Sequence, residues 1–182
     1  MTTERNHLTP VCISGYNALY EPQGYKGSPV NRYWSITVKM TKEQGDAFIK
    51  ECQAIADKAF DELVEKRKKM GRPIHESVRP KPNYRTDEFG NYTISFRRKE
   101  SKGTPPHVLD YNRVPTTKII RNGDKVQVAF NLYPYVMPTT SVAGVSFELI
   151  AVRIMDQETP REEITTTFNR VADDKVTLED LF

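Results

Sequence analysis

The most regular stretch of the chain is 32–40, where Trp34, Ile36, Val38 and Met40 alternate with Tyr33, Ser35, Thr37 and Lys39. A period of two is what a strand with one buried face requires. The pattern then changes abruptly. Thr41, followed three residues later by Gln44, has the form of a capping box. Phe48, Cys52, Ile55, Ala59 and Leu63 then recur at spacings of three and four, with Ala56, Phe60 and Val64 widening the stripe. This predicts a long helix over 42–70. Lys66, Arg67, Lys68 and Lys69 fall in its last turns, where cations suit the helix dipole, and Gly71 and Pro73 stop it.

Further strands follow from the same alternation. Tyr92, Ile94 and Phe96 share one face of 91–98, and Val126, Val128, Phe130 and Leu132 share one face of 125–133. Asn122-Gly123 supplies a tight turn just before the latter. The run 142–156 is apolar on both faces, which predicts a central or curved strand, with Gly144 expected to mark a bulge. Shorter strands are expected at 11–14, 108–111 and 116–120. The segment 16–31 reads as a loop decorated with aromatics, and 71–90 as a Pro- and Arg-rich connector. From 157 onward the pattern fades.

The fold class expected is mainly β (α+β): an OB-like five-stranded barrel with a long helical insertion. It occupies 1–156 as one domain, and 157–182 is expected to be a tail without fixed structure when unpartnered.

Composition changes this picture little. The chain has 182 residues, 37% of them hydrophobic and 28% charged, enough for one domain with a core. The longest apolar run is interrupted by Glu148 and Arg153, too short and too charged to span a bilayer. With a polar start lacking a signal core, a cytoplasmic protein is expected. Cys12 and Cys52 have no metal or redox spacing and are expected as free thiols. His7, His75 and His107 are scattered, so neither a metal nor a cofactor is expected.

Charge distribution says more than net charge. The total is +3, but 173–182 carries Asp173, Asp174, Glu179 and Asp180 against Lys175, a net −3, which leaves the body at +6. A basic body with an acidic tail is an asymmetry seen in nucleic-acid binders.

No phosphate-binding loop, nucleophile elbow or paired-carboxylate spacing is present, and no enzyme is expected. Cations interleaved with aromatics on predicted strands are the stronger signal. Binding a single strand requires Lys and Arg along the phosphates and rings that stack on bases. Arg32, Lys39, Arg97, Arg98, Lys99, Arg121 and Lys125 are candidates for the first role. Tyr33, Trp34, Tyr92, Tyr111, Tyr133 and Tyr135 are candidates for the second. Register favours a core position for Trp34 and sets Tyr92 beside Ile94 and Phe96. It favours exposure for Tyr33 and Tyr133, and Tyr135 sits where a strand ends. Arg97-Arg98-Lys99 reads equally as a solvated strand end, and 66–69 as a helix end rather than a contact.

The chain closes on Leu178-Glu179-Asp180-Leu181-Phe182. Two bulky apolar residues at a free terminus gain nothing from solvation. They make sense as an anchor for a partner's pocket, with Asp173, Asp174, Glu179 and Asp180 steering toward a basic surface and Leu181 and Phe182 inserting. The same carboxylates can compete with DNA for the chain's own cations.

Taken in order, 124–128, Leu132-Tyr133-Pro134-Tyr135 and Ser141-Val142-Ala143-Gly144-Val145-Ser146-Phe147-Glu148-Leu149 resemble the C-terminal half of the single-stranded DNA-binding proteins of short-tailed phages and their relatives. The strand 32–40 followed by a long helix, and the acidic tail ending in Phe, are similar to that family too. The resemblance implies an OB fold, sequence-independent binding of single-stranded DNA in replication, recombination and repair, and a tail that contacts replication proteins such as a polymerase or helicase-primase. Residue by residue it carries over to Tyr135 and Phe182. Two departures stand out: Met137 occupies a position where relatives can have a second aromatic, and the tail is short and only mildly acidic. The rival readings are an RNA- or structure-selective module on the same barrel, and a phage interaction protein docking through its tail. A homodimer is compatible with each, and no membrane partner is expected.

Overall fold

A computed structural model describes residues 6–74, 79–137 and 143–156. In chain order its elements are β1 (His7–Leu8), β2 (Cys12–Gln23), β3 (Tyr33–Met40), α1 (Lys42–Lys69), β4 (Lys81–Pro82), β5 (Arg85–Thr86), β6 (Tyr92–Lys99), β7 (His107–Leu109), β8 (Lys125–Val136) and β9 (Ala143–Ile154). Five of the strands close a ring. β2 pairs with β3, β3 with β6, β6 with β9, β9 with β8, and β8 returns to β2. Only the β6–β9 pairing in this ring is parallel. This is the expected OB-like five-stranded barrel, with the helix inserted between its second and third strands.

Alternation along β3 places Trp34, Ile36, Val38 and Met40 inside, opposite Ile94 and Phe96 of β6. The barrel centre is aromatic: Phe96 and Phe130 lie 5.1 Å apart between ring centroids, and Phe130 and Phe147 5.6 Å in an edge-on arrangement. Such geometry adds about 0.5–1.5 kcal/mol per pair to simple burial. The helix starts at the predicted capping box: Gln44 N donates to Thr41 Oγ1 at 3.3 Å, and Thr41 N donates to Gln44 Oε1. Its buried face is Phe48, Cys52, Ala56, Phe60 and Val64, at a constant spacing of four, with Ile55, Ala59 and Leu63 only half-buried. Phe48 meets Phe130 at 5.7 Å and so plugs one end of the barrel. Residues 65–70 are exposed throughout. Both cysteines are free and buried, and burial pushes their thiols up to about 11 for Cys12 and about 12 for Cys52.

Five expectations are corrected. The segment 16–31 is not all loop, because β2 continues to Gln23. Register shifts between Ser14 and Asn17, and again between Ala18 and Gln23, break its period of two, so Ala18 and Leu19 are buried side by side. Residues 116–120 form no strand. They cover the β2 edge through side chains instead: Asn17 Nδ2 donates to the Ile120 carbonyl at 2.9 Å, and Tyr20 Oη to the Lys118 carbonyl. The connector 71–90 contains β4 and β5, which β9 and β6 recruit as partners. Gly144 marks no bulge; the shift in the β8–β9 ladder falls between Ala129 and Phe130. β8 also runs on through Pro134 and Tyr135, and Pro134 faces Val145 within the ladder.

Candidate nucleic-acid interface

Residues that point away from the core on adjacent strands form rows across the barrel's outer face. On β3 and β6 the pairs are Tyr33 with Lys99, Ser35 with Arg97, Thr37 with Ser95, and Lys39 with Thr93. β5 extends the last row, since Arg85 pairs with Thr93. On the other flank Tyr133 faces Ser146 and Tyr135 faces Gly144. The face is therefore polar, cationic and edged with rings, as alternation along β3 and β6 dictates once their other faces are buried.

A groove of about 440 Å³ runs over this surface. Thr37, Thr93, Ser95 and Arg97 make its floor, Tyr135, Val145, Ser146 and Phe147 one side, and Asn83, Tyr84 and Arg85 the other. Arg85 and Arg97 are exposed, and no carboxylate is among the lining residues. Thr37 and Ser95 hydroxyls approach to 3.3 Å.

Glycine shapes both aromatic edges. A β-carbon on Gly144 would stand 2.5 Å from the Tyr135 hydroxyl, so the Tyr135 ring lies where only a glycine leaves space. On the opposite edge Tyr84 and Tyr92 have ring centroids 4.9 Å apart. Tyr92 is held from below: its hydroxyl donates to Asp46 Oδ1 at 2.5 Å, and a β-carbon on Gly45 would stand 2.0 Å from its ring. Lys42 reaches the same carboxylate at 2.8 Å. The Lys42 and Tyr92 hydrogen bonds pull the Asp46 carboxyl below its ordinary range, and the Asp46 partner pushes the Tyr92 phenol up to about 12.

The sequence-selected residues divide into groups. Arg97 and Tyr135 line the groove, and Lys39, Lys99, Tyr33 and Tyr133 stand on the same face. Trp34 is in the core at 7% exposure. Tyr92 supports Tyr84 with its hydroxyl committed to Asp46. Arg32 is engaged by the Pro22 carbonyl and by Glu100 at 3.3 Å, and Arg98 by Thr104 and Glu148. Tyr111, Arg121 and Lys125 lie elsewhere. Tyr111 accepts from Arg153 through its carbonyl, next to the far end of β9. Lys125 opens β8, ten positions before Tyr135, or about 33 Å at the usual strand rise. The tail residues Asp173, Asp174, Glu179, Asp180, Leu181 and Phe182 fall outside the described residues.

Reading the sequence missed Asn83, Tyr84 and Arg85. Their signal was present as the single ring of Tyr84 set among the cations Arg79, Lys81 and Arg85, the same residue types used to choose the others.

Comparison with protein-family models and with curated protein sequences gives no match. Comparison with solved structures does. The crystal structure of gp2.5, a single-stranded DNA-binding protein encoded by bacteriophage T7, matches with a TM-score of 0.64 and 16% identity, covering 92% of this chain and 100% of that one. The single-stranded DNA-binding protein from bacteriophage Enc34 in complex with single-stranded DNA matches at 0.56 and 20% identity, covering 87% and 90%. A C-terminally truncated form of the Enc34 protein matches at 0.53 and 20% identity, covering 87% and 90%. This chain has their fold. In this chain the connector that delivers Tyr84 and Arg85 leaves the end of the inserted helix.

Proposed function

We propose that the chain is a sequence-independent single-stranded DNA-binding protein, and that the groove over β3, β6 and β9 is where the strand lies. One observation carries this reading: Arg85 and Arg97 share a single groove with the rings of Tyr84 and Tyr135, with no carboxylate on its lining. Phosphates and bases require that pairing of groups, and each stacked base contributes about 1–3 kcal/mol. The fold shared with the two phage proteins supports it. Lys39, Lys99, Tyr33 and Tyr133 extend the same face.

In this reading the protein coats exposed strands during phage replication, recombination and repair in the host cytoplasm. The acidic tail closing on Leu181-Phe182 recruits a polymerase or helicase-primase, and the work is binding, not catalysis. The test is fluorescence anisotropy of a labelled poly-dT oligonucleotide against rising salt, with matched RNA and duplex DNA as competitors. Salt-sensitive binding with little base preference, and weaker competition from duplex, is the expected result. No binding at low salt sinks the proposal, and preference for RNA replaces it with the RNA-module reading. Deleting 177–182 should leave oligonucleotide affinity equal or higher while abolishing capture of replication proteins.

A further inference from the structure

Glu148 is the one charged side chain among the described residues that is buried, at 7% exposure. It stands on β9 directly opposite Arg97 of β6 and Asn131 of β8, two positions along from Ser146 at the groove. A polyanion-binding face is an unfavourable place for a fixed carboxylate, so its partners matter. Arg98 Nη1 lies 3.5 Å from Glu148 Oε1, and Lys102 pairs with the same oxygen. Arg98 is held further by Thr104, its Nε and Nη2 donating to the carbonyl and hydroxyl oxygens at 2.7 Å each. Lys102 Nζ in turn lies 6.0 Å from the centroid of the Tyr133 ring.

Two cations beside an aromatic edge look available to phosphate, but the carboxylate changes their status. Removing either from Glu148 leaves a buried negative charge less compensated, which is strongly unfavourable. A phosphate reached from solvent gives back only a screened, exposed ion pair, which is worth little. The exchange is unfavourable, so Lys102 and Arg98 stay with Glu148.

We propose that Glu148 is an internal stand-in for a backbone phosphate. It withdraws Lys102 and Arg98 from the DNA, so the phosphates run along Arg85 and Arg97 and only a base meets Tyr133. Glu148 is thus a positioning residue, setting which side of the groove carries the backbone. The inference rests on the DNA-binding reading above.

The experiment is oligonucleotide affinity against salt for the full chain, using poly-dT and four proteins: wild type, Lys102→Ala, Glu148→Gln and the double variant. Lys102→Ala should keep the wild-type salt slope. Glu148→Gln should bind several-fold more tightly at low salt, with a slope steeper by about 0.7 for each cation released to a phosphate. The double variant should give up part of that gain. A shallower slope for Lys102→Ala overturns the proposal, since Lys102 is then already a phosphate contact. A folded Glu148→Gln with unchanged slope overturns it too. If circular dichroism shows that Glu148→Gln does not fold, the exposed Lys102→Ala decides alone. Failure of the wild type to bind at all is a failure of the DNA-binding reading, and this inference falls with it.

Discussion

The ring of Tyr135 occupies the space above Gly144 on the neighbouring strand, where a β-carbon would come within 2.5 Å of its hydroxyl and 2.6 Å of Cζ. The contact is with the far end of a side chain, so a methyl group at 144 displaces the ring rather than the backbone. Gly144→Ala should therefore keep its unfolding midpoint but weaken poly-dT binding by about 1–3 kcal/mol, the worth of one stacked base. Tyr135→Ala should lose the same amount, and the double variant no more than either. Additive losses would separate the two residues functionally.

Arg85 and Arg97 should each contribute a phosphate contact. Arg97→Ala and Arg85→Ala should each reduce the slope of log affinity against log salt by about 0.7, as expected for a single strand. Lys125→Ala, at the far end of β8, should leave the slope where it was. Equal effects at all three positions would mean that general charge, not this groove, drives binding.

Gly45 presents the opposite case to Gly144. A β-carbon there meets the base of the Tyr92 ring, with Cδ2 at 2.0 Å and Cγ at 2.3 Å, and that ring is pinned by Asp46 and Tyr84. Gly45→Ala should cost about 1–3 kcal/mol of stability through overpacking, read as a lower urea midpoint. Because Tyr92 supports Tyr84, DNA affinity should fall as well.

The Asp46–Tyr92 contact gives a pH window. Asp46 titrates below its ordinary 3.8, so its contribution is complete above that value and is lost as pH falls through the depressed one. Tyr92 titrates at about 12 instead of 10.0, so its contribution is complete below 10.0 and is lost as pH rises through about 12. The stability gap between wild type and Asp46→Asn should stay open across the neutral range and close at both extremes. A gap that closes near pH 7 would assign it to some other group.

Legibility in the sequence followed locality. β3, α1 and β8 announce themselves because one face of each is buried without interruption, so Trp34-Ile36-Val38 and Phe48-Cys52-Ala56 keep a clean period. β2 was concealed because its two register shifts place Ala18 and Leu19 inside together, which no single period describes. The groove was half legible. Arg97 and Tyr135 stand on strands whose register could be read, whereas Tyr84 and Arg85 are brought in by two-residue strands that exist only because β9 and β6 offer free edges. Such pairing is a property of the assembled barrel. Trp34, Arg32 and Arg98 illustrate the converse: their residue types suit nucleic acid, but the fold engages them for itself.

β9 pairs with β4, β6, β7 and β8, so the strands carrying Arg97 and Tyr135 are both fastened to the last strand of the described chain. Synthesis runs from the other end. While the polypeptide is still leaving the ribosome, Arg97 and Tyr84 exist without the strand that joins them to Tyr135. Val145, Ser146 and Phe147 of the groove's lining belong to β9 itself, so the groove is complete only once that strand is in place.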